Sequence, residues 1–294
     1  MFEGIFPPIA TPFNQHGALA LDRLKANIEK WNASGLAGYV VMGSNGEAPH
    51  IALDEIAPLV NTVRTAARSD MKLIAGTGQL GTQATIDATK RAAAAGADAA
   101  LVVTPYYYKN GMTADALKRH YTQLADAAPV PVLIYNVPAN TSFNIAAAVV
   151  RELATHDNIA GIKDSAGVIE QLAEFVRVTE GMSFEVICGN FSAFMPAMTF
   201  GVRGAILAVA NIAPKECVSM FEAACSGDWQ SASELHLRLL PIARAVTSQH
   251  GVPGLKAALD LRGYYGGAPR EPLLPLPEST RKEIEKILRE ADLT

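Results

Sequence analysis

Short apolar runs alternate with longer amphipathic stretches along most of the chain. The runs fall at Gly4–Ala10, Gly38–Met42, Lys72–Ala75, Ala99–Val103, Val132–Tyr135, Ile159–Ile162, Phe184–Ile187 and Ala205–Ala208. They are rich in Val, Ile and Leu and do not alternate with polar residues, as strands buried on both faces should not. The first is the weakest, because Pro7 and Pro8 interrupt it. Helical spacing of apolar residues separates the runs at Leu21–Ser34, Leu53–Ala67, Thr82–Ala95, Thr113–Ala127, Ile145–Leu153, Val168–Thr179 and Phe191–Phe200. Thr113 stands where an N-cap is wanted, and Gly35, Gly96 and Gly181 follow helical runs where a left-handed closing residue fits.

Eight strands alternating with helices predict an α/β fold with a parallel sheet, and eight strands close a (β/α)8 TIM barrel. After Ala208 only helical patterns remain, at Pro214–Ser226, Asp228–Ser248, Gly254–Leu261 and Pro277–Ala291. The first of these completes the barrel, so residues 1–226 are expected to form it. Residues 227–294 are then a C-terminal helical appendix packed on the barrel, with Pro269–Pro277 as an extended connector. The 294 residues suffice for one barrel of about 250 residues plus this appendix.

Composition narrows the function. With 49% apolar and 18% charged residues the chain can bury a large core, and disorder is not expected. Its net charge is −4 and its basic residues do not cluster, which argues against a nucleic-acid partner. No apolar run reaches the roughly 18 residues of a membrane span, and no basic segment precedes the first apolar residues, so neither membrane insertion nor secretion is expected. Cys188, Cys217 and Cys225 form no CxxC pair; they suit a reducing cytoplasm without disulfides.

A barrel of this kind carries its chemistry at the C-terminal ends of its strands. There the sequence places Gly43-Ser-Asn-Gly-Glu47, Thr104-Pro-Tyr-Tyr-Tyr108, Tyr135-Asn-Val-Pro138, Lys163-Asp-Ser165 and Cys188-Gly-Asn190. Lys163 closes a buried strand, where burial disfavours the ammonium form; a neutral amine attacks a ketone to form a Schiff base, an electron sink for making or breaking C–C bonds. Taken alone, such a lysine reads as snorkelling or ion-paired, with Asp164 beside it. Tyr135 ends the neighbouring strand and offers a hydroxyl that can move protons, and the two together favour catalysis. The loop Gly43–Glu47 can turn backbone N–H groups toward a small carboxylate.

Two other readings are weaker. Gly76-Thr-Gly-Gln-Leu-Gly81 is a literal GxGxxG between a strand and a helix, but the next strand ends in Thr104-Pro105 rather than the acid that would hold a ribose. A glycine-rich turn is therefore expected, with no nicotinamide cofactor. The six histidines show neither HxH nor HxxxH spacing and none ends a strand, so no metal site is expected.

Together, Thr11-Pro-Phe13, Gly43–Glu47, Pro105-Tyr-Tyr107, Tyr135-Asn-Val-Pro138 and Gly161-Ile-Lys-Asp164 resemble the dihydrodipicolinate synthase/N-acetylneuraminate lyase superfamily over nearly the whole chain. The resemblance implies that Lys163 forms the Schiff base with pyruvate or its product and that Tyr135 is the general acid/base. It implies that Ser44 links Tyr135 to Tyr107 of a neighbouring subunit, and that the main-chain N–H groups of Ser44 and Asn45 hold the keto-acid carboxylate. Gly189 and Ile206 would line the pocket of a homotetramer needing no cofactor.

Synthases of this group carry an arginine shortly after Tyr-Asn-Val-Pro, where this chain has Asn140; an amide cannot make the bidentate, charge-assisted contact of a guanidinium. The segments Gly43–Glu47, Val137-Pro-Ala-Asn-Thr141, Lys163-Asp-Ser165, Val252-Pro-Gly-Leu-Lys256 and Gly263-Tyr-Tyr-Gly-Gly267 are similar to 4-hydroxy-2-oxoglutarate aldolases, which release pyruvate and glyoxylate. In those enzymes the counterparts of Asn45 and Ser165 face the substrate. Ser142, where glycine is commoner, is a small departure. The expected activity is thus a class I pyruvate-type aldolase acting on 4-hydroxy-2-oxoglutarate. The alternatives are dihydrodipicolinate synthase, an aldolase for another 2-keto-3-deoxy sugar acid, or a non-catalytic keto-acid sensor, which would have no need of Lys163 and Tyr135.

Overall fold

A computed structural model describes residues 2–294. The eight strands are β1 (Gly4–Phe6), β2 (Gly38–Val41), β3 (Lys72–Gly76), β4 (Ala99–Val103), β5 (Val132–Asn136), β6 (Ile159–Asp164), β7 (Glu185–Cys188) and β8 (Gly204–Ile206). All pair in parallel, in the order β1-β8-β7-β6-β5-β4-β3-β2. The seam between β1 and β2 is closed by backbone bonds: Ala37 N–H donates to Ile5 (3.1 Å), Val40 N–H to Pro7 (3.0 Å) and Ile9 N–H to Val40 (2.9 Å). Pro7 and Pro8 shorten β1 relative to the expected Gly4–Ala10 run, because neither can donate to a ladder. They leave the closure intact, since here both serve as acceptors: Pro7 through the Val40 bond and Pro8 from Asn211 Nδ2. The molecule is a (β/α)8 TIM barrel with C-terminal helices.

The helices are α1 (Leu21–Trp31), α2 (Ile56–Ala66), α3 (Thr82–Ala94), α4 (Ala114–Ala127), α5 (Pro138–Thr141), α6 (Ala147–Leu153), α7 (Ile169–Val178), α8 (Phe191–Met198), α9 (Pro214–Cys225), α10 (Trp229–Arg244), α11 (Gly251–Leu261) and α12 (Glu278–Glu290). Thr113 does cap α4, its side chain accepting from Ala116 N–H, and Gly35, Gly96 and Gly181 are left-handed as expected.

Three expectations need correction. The eighth strand spans Gly204–Ile206 rather than Ala205–Ala208; a 3-10 turn, Ala208–Asn211, follows it, tied down by Asn211 Nδ2 donating to the carbonyls of Pro8 and Ala208. The helix expected at Asp228–Ser248 is α-helical only to Arg244 and then widens into a π turn, Ala245–Gln249. Helix α11 begins at Gly251, three residues early, because Pro253 falls in its first turn, where backbone N–H groups have no helical acceptor to lose.

Side chains alternate across the strands. Phe6, Val40, Ile74, Leu101, Leu133, Ile187 and Ile206 fill the barrel interior, while Val132, Ile134 and Ile162 face the helical layer with Tyr121, Leu124 and Phe175. The C-terminal helices share the largest apolar cluster with the barrel: Leu239, Ile242, Leu255, Leu259, Ile284 and Leu288 are buried with Trp31, Phe194 and Val209.

The glycine-rich turn after β3 has a packing cause. A Cβ on Gly76 would lie 1.9 Å from the Met42 carbonyl oxygen, and one on Gly78 2.7 Å from the Val103 nitrogen, whereas Gly81 has open space. Neighbouring backbone, not a dinucleotide, accounts for the first two glycines. Gly76→Ala is therefore expected to destabilise the fold severely in urea unfolding, and Gly81→Ala to leave the midpoint nearly unchanged.

Candidate active site

The site follows from the pairing of β5 with β6, in which Tyr135 stands opposite Lys163 and Asn136 opposite Asp164. Alternation sends the two pairs to opposite faces of the sheet. Tyr135 and Lys163 point into the barrel mouth, both buried, with Lys163 Nζ 4.1 Å from the centre of the Tyr135 ring. Asn136 and Asp164 turn toward the helices. There Asp164 Oδ1 accepts from Asn136 Nδ2 (2.6 Å) and Gln171 Nε2 (3.0 Å), and Asn136 Oδ1 accepts from Ile145 N–H (3.1 Å). Burial raises the Asp164 carboxyl above the ordinary carboxylate range, against the opposing effect of these hydrogen bonds. Asp164 is thus not the partner of Lys163, and the ion-paired reading of that lysine falls.

Tyr135 Oη lies 3.3 Å from Ser44 Oγ, hydrogen-bond distance across the mouth of the barrel. Both residues and Lys163 line a cavity of about 410 Å³, whose wall also contains Asn45, Asn140, Ser165, Gly189 and Ile206. All the expected site residues except Tyr107 therefore meet in one cavity. Tyr107 is 70% exposed in the loop after β4, edge-on to Tyr108 at 5.0 Å. Tyr106, not Tyr107, lines a second cavity of about 320 Å³ on the other side of Ser44 and Tyr135.

Gly189 is required by close approach. A Cβ there would sit 2.0 Å from Ser165 Oγ and 2.8 Å from Lys163 Cε, so any side chain would displace the lysine stem. Cys188, just before it, has its thiol pushed up to about 12 by burial and is no nucleophile at neutral pH. At Ser142 the backbone is left-handed (φ 51°), which accounts for the usual preference for glycine there.

The loop after β2 is bounded by two left-handed non-glycine residues, Met42 (φ 54°) and Glu47 (φ 58°). Such conformations cost on the order of 1 kcal/mol each and need surrounding contacts to hold them. Glu47 supplies them. Its fully buried carboxylate ion-pairs with Lys256 of α11 (2.6 Å) and accepts from Arg270 N–H (2.9 Å). Lys256 Nζ also donates to the Ala268 carbonyl (2.9 Å), and burial lowers the pKa of this lysine while Glu47 opposes that shift. Arg270 in turn makes two 2.7 Å bonds to the Glu55 carboxylate.

This support lies outside the sequence-based expectations, as does the part of the pocket wall built by the C-terminal helices: Ala243, Arg244, Thr247, Ser248, Gly251 and Val252. One signal for it was present, a lysine inside the otherwise apolar run Gly254–Leu259, matched by a glutamate in a glycine-rich loop.

The Dihydrodipicolinate synthetase family model matches residues 1–291. A 4-hydroxy-tetrahydrodipicolinate synthase from an Exiguobacterium species is 38% identical over 285 residues, covering 97% of this chain and 96% of the relative. Among solved structures, the chloride-inhibited dihydrodipicolinate synthase from Acinetobacter baumannii complexed with pyruvate is 30% identical, with TM-score 0.95 and complete coverage of both chains. A prophage protein of the dihydrodipicolinic acid synthase family from E. coli K12, also in complex with pyruvate, is 29% identical, with TM-score 0.94 and complete coverage of both chains. The chain belongs to the dihydrodipicolinate synthetase family and is a pyruvate-dependent carbon–carbon lyase. The Exiguobacterium and Acinetobacter proteins are named as synthases, which favours the synthase alternative; the expected greater likeness to 4-hydroxy-2-oxoglutarate aldolases is not shown by these relatives.

Removing one member of the Glu47–Lys256 pair strands the other charge in the core. Lys256→Met or Glu47→Gln alone is expected to cost about 3–5 kcal/mol in urea unfolding, and the double variant to recover part of that loss. Strictly additive losses would show that the two side chains do not act as a pair.

Proposed function

We propose that the protein cleaves 4-hydroxy-2-oxoglutarate to pyruvate and glyoxylate through a Schiff base on Lys163. The Lys163 amine adds to the C2 ketone, and loss of water from the carbinolamine leaves an iminium. Tyr135 gives and takes the protons of these steps and then removes the C4 hydroxyl proton. The C3–C4 bond breaks, its electron pair passes into the iminium to form an enamine, and glyoxylate leaves. Protonation at C3 and hydrolysis return pyruvate and the free lysine. The Lys163–Tyr135 juxtaposition and the 3.3 Å Tyr135–Ser44 contact support this sequence of steps.

In this reading the Ser44 and Asn45 N–H groups receive the C1 carboxylate, and Gly189 and Ile206 shape the pocket around the pyruvyl half. Asn140 and Ser165 face the glyoxylate half. Tyr107, exposed at the surface of the single chain, completes the proton path to Ser44 of a neighbouring subunit in a homotetramer.

The observation that speaks against the synthase reaction is Asn140, which lines the pocket where synthases of the resembled group carry an arginine. The choice of 4-hydroxy-2-oxoglutarate rests on the likeness of the surrounding segments to its aldolases, since this substrate carries a second carboxylate too. A second reading, condensation of pyruvate with aspartate semialdehyde, is the one the relatives' names support, at up to 38% identity over nearly full length. The two separate on kcat/KM for purified protein: faster cleavage of 4-hydroxy-2-oxoglutarate is expected, and a clear preference for aspartate semialdehyde would establish the synthase. For the proton-transfer role, Tyr135→Phe should lower kcat by ~10²–10⁴ with the fold retained. Unchanged turnover in the folded variant would remove Tyr135 from the mechanism.

A further inference from the structure

The wall of the 410 Å³ pocket contains two basic side chains, Lys163 and Arg244, and no carboxylate. Arg244 is exposed, and its guanidinium makes no ion pair or hydrogen bond among the described residues. Most other arginines near the C-terminal helices are engaged: Arg262 by the Ile212 and Leu293 carbonyls, Arg270 by Glu55, Arg281 by Asp260 and Arg238 by Asp292. An unpaired arginine among the residues lining the same cavity as an amine nucleophile can receive an anion.

Its placement has a local cause. Helix α10 ends at Arg244, and the π turn that follows carries the His250 N–H to the Ala245 carbonyl (3.1 Å) in place of an α-helical bond. The wider turn puts Thr247 and Ser248 in the pocket wall with Arg244, so a polar strip crosses a helix whose Ile242, Ala243, Ala245 and Val246 are buried. Interruptions of this type recur where a helix must re-aim side chains at a functional surface.

We infer that Arg244 is the receptor for the distal carboxylate of the substrate, the group that becomes the carboxylate of glyoxylate. This inference rests on the reaction proposed above and completes it: a dianionic substrate needs a second anion site, and Asn140 brings no charge to one. The cation that the β5–α5 loop lacks is delivered from the C-terminal helices instead. Arg244 acts on specificity, touching the non-reacting end of the substrate rather than the bond that breaks.

The test compares two substrates in wild type and Arg244→Ala. One is 4-hydroxy-2-oxoglutarate; the other is 4-hydroxy-2-oxopentanoate, which has a methyl group in place of the distal carboxylate and yields pyruvate and acetaldehyde. Arg244→Ala should lower kcat/KM for the dianion ~10–100-fold, mostly through KM, while changing that for the monoanion less than about threefold. Arg244→Lys should fall between, keeping the charge but losing the bidentate fork. An equal loss on both substrates, or none on either, would overturn the assignment while leaving the proposed reaction standing. Failure of wild type to cleave 4-hydroxy-2-oxoglutarate would refute the reaction itself and the subsite with it.

Discussion

The pairing register of β5 and β6 is the constraint on which the site depends. Because side chains alternate along a strand, a slip of one residue would turn Lys163 out toward the helices and bring the Asp164 carboxylate into the barrel. The native register is held from the helical side. Asn136 bridges to Asp164, Gln171 of α7 reaches the same carboxylate, and the backbone of Ile145 is tied to Asn136. A buried polar network on one face of the sheet thus fixes the position of the chemistry on the other. On the barrel side Gly189 leaves room for the lysine stem, so the residue just after β7 contributes by what it lacks.

A second dependence runs from the C-terminal helices to the loop after β2. Ser44 is useful only while the backbone around it keeps its two left-handed residues, and that geometry is secured by the Glu47–Lys256 pair more than two hundred residues apart in sequence. An ion pair this deeply buried gains its Coulomb energy against a large desolvation cost, so its value lies in specifying one arrangement of the loop rather than in net stability. The same helices supply Arg244 and the polar strip of the π turn. The C-terminal segment is thereby part of the pocket wall as well as a cover for the barrel.

Much of this was legible in the residues. The eight apolar runs marked the strands to within a few residues, because fully buried parallel strands leave an uninterrupted apolar signature. Lys163 and Tyr135 stand out as polar residues closing such runs, and the family resemblance points to Ser44, Asn45, Asn140, Ser165, Gly189 and Ile206, which all line the cavity. The π turn was not legible, since a local widening of the helix leaves the spacing of apolar residues almost unchanged and Asp228–Ser248 reads as one helix. Nothing in that spacing distinguishes Arg244 from a solvated surface arginine. The packing reasons for Gly76 and Gly189 were equally hidden: a glycine fixed by an approaching backbone or side chain looks the same in sequence as one fixed by a turn. Tyr107 has its proposed role only in an assembly, and a single chain leaves it exposed.

The account stands or falls on covalent chemistry at one amine. Treating the protein with pyruvate and borohydride, followed by peptide mapping, tests it most directly. The account predicts a single reduced pyruvyl adduct, on Lys163, accumulating in step with loss of activity. An adduct on any other lysine, or activity lost with no adduct at Lys163, would contradict it.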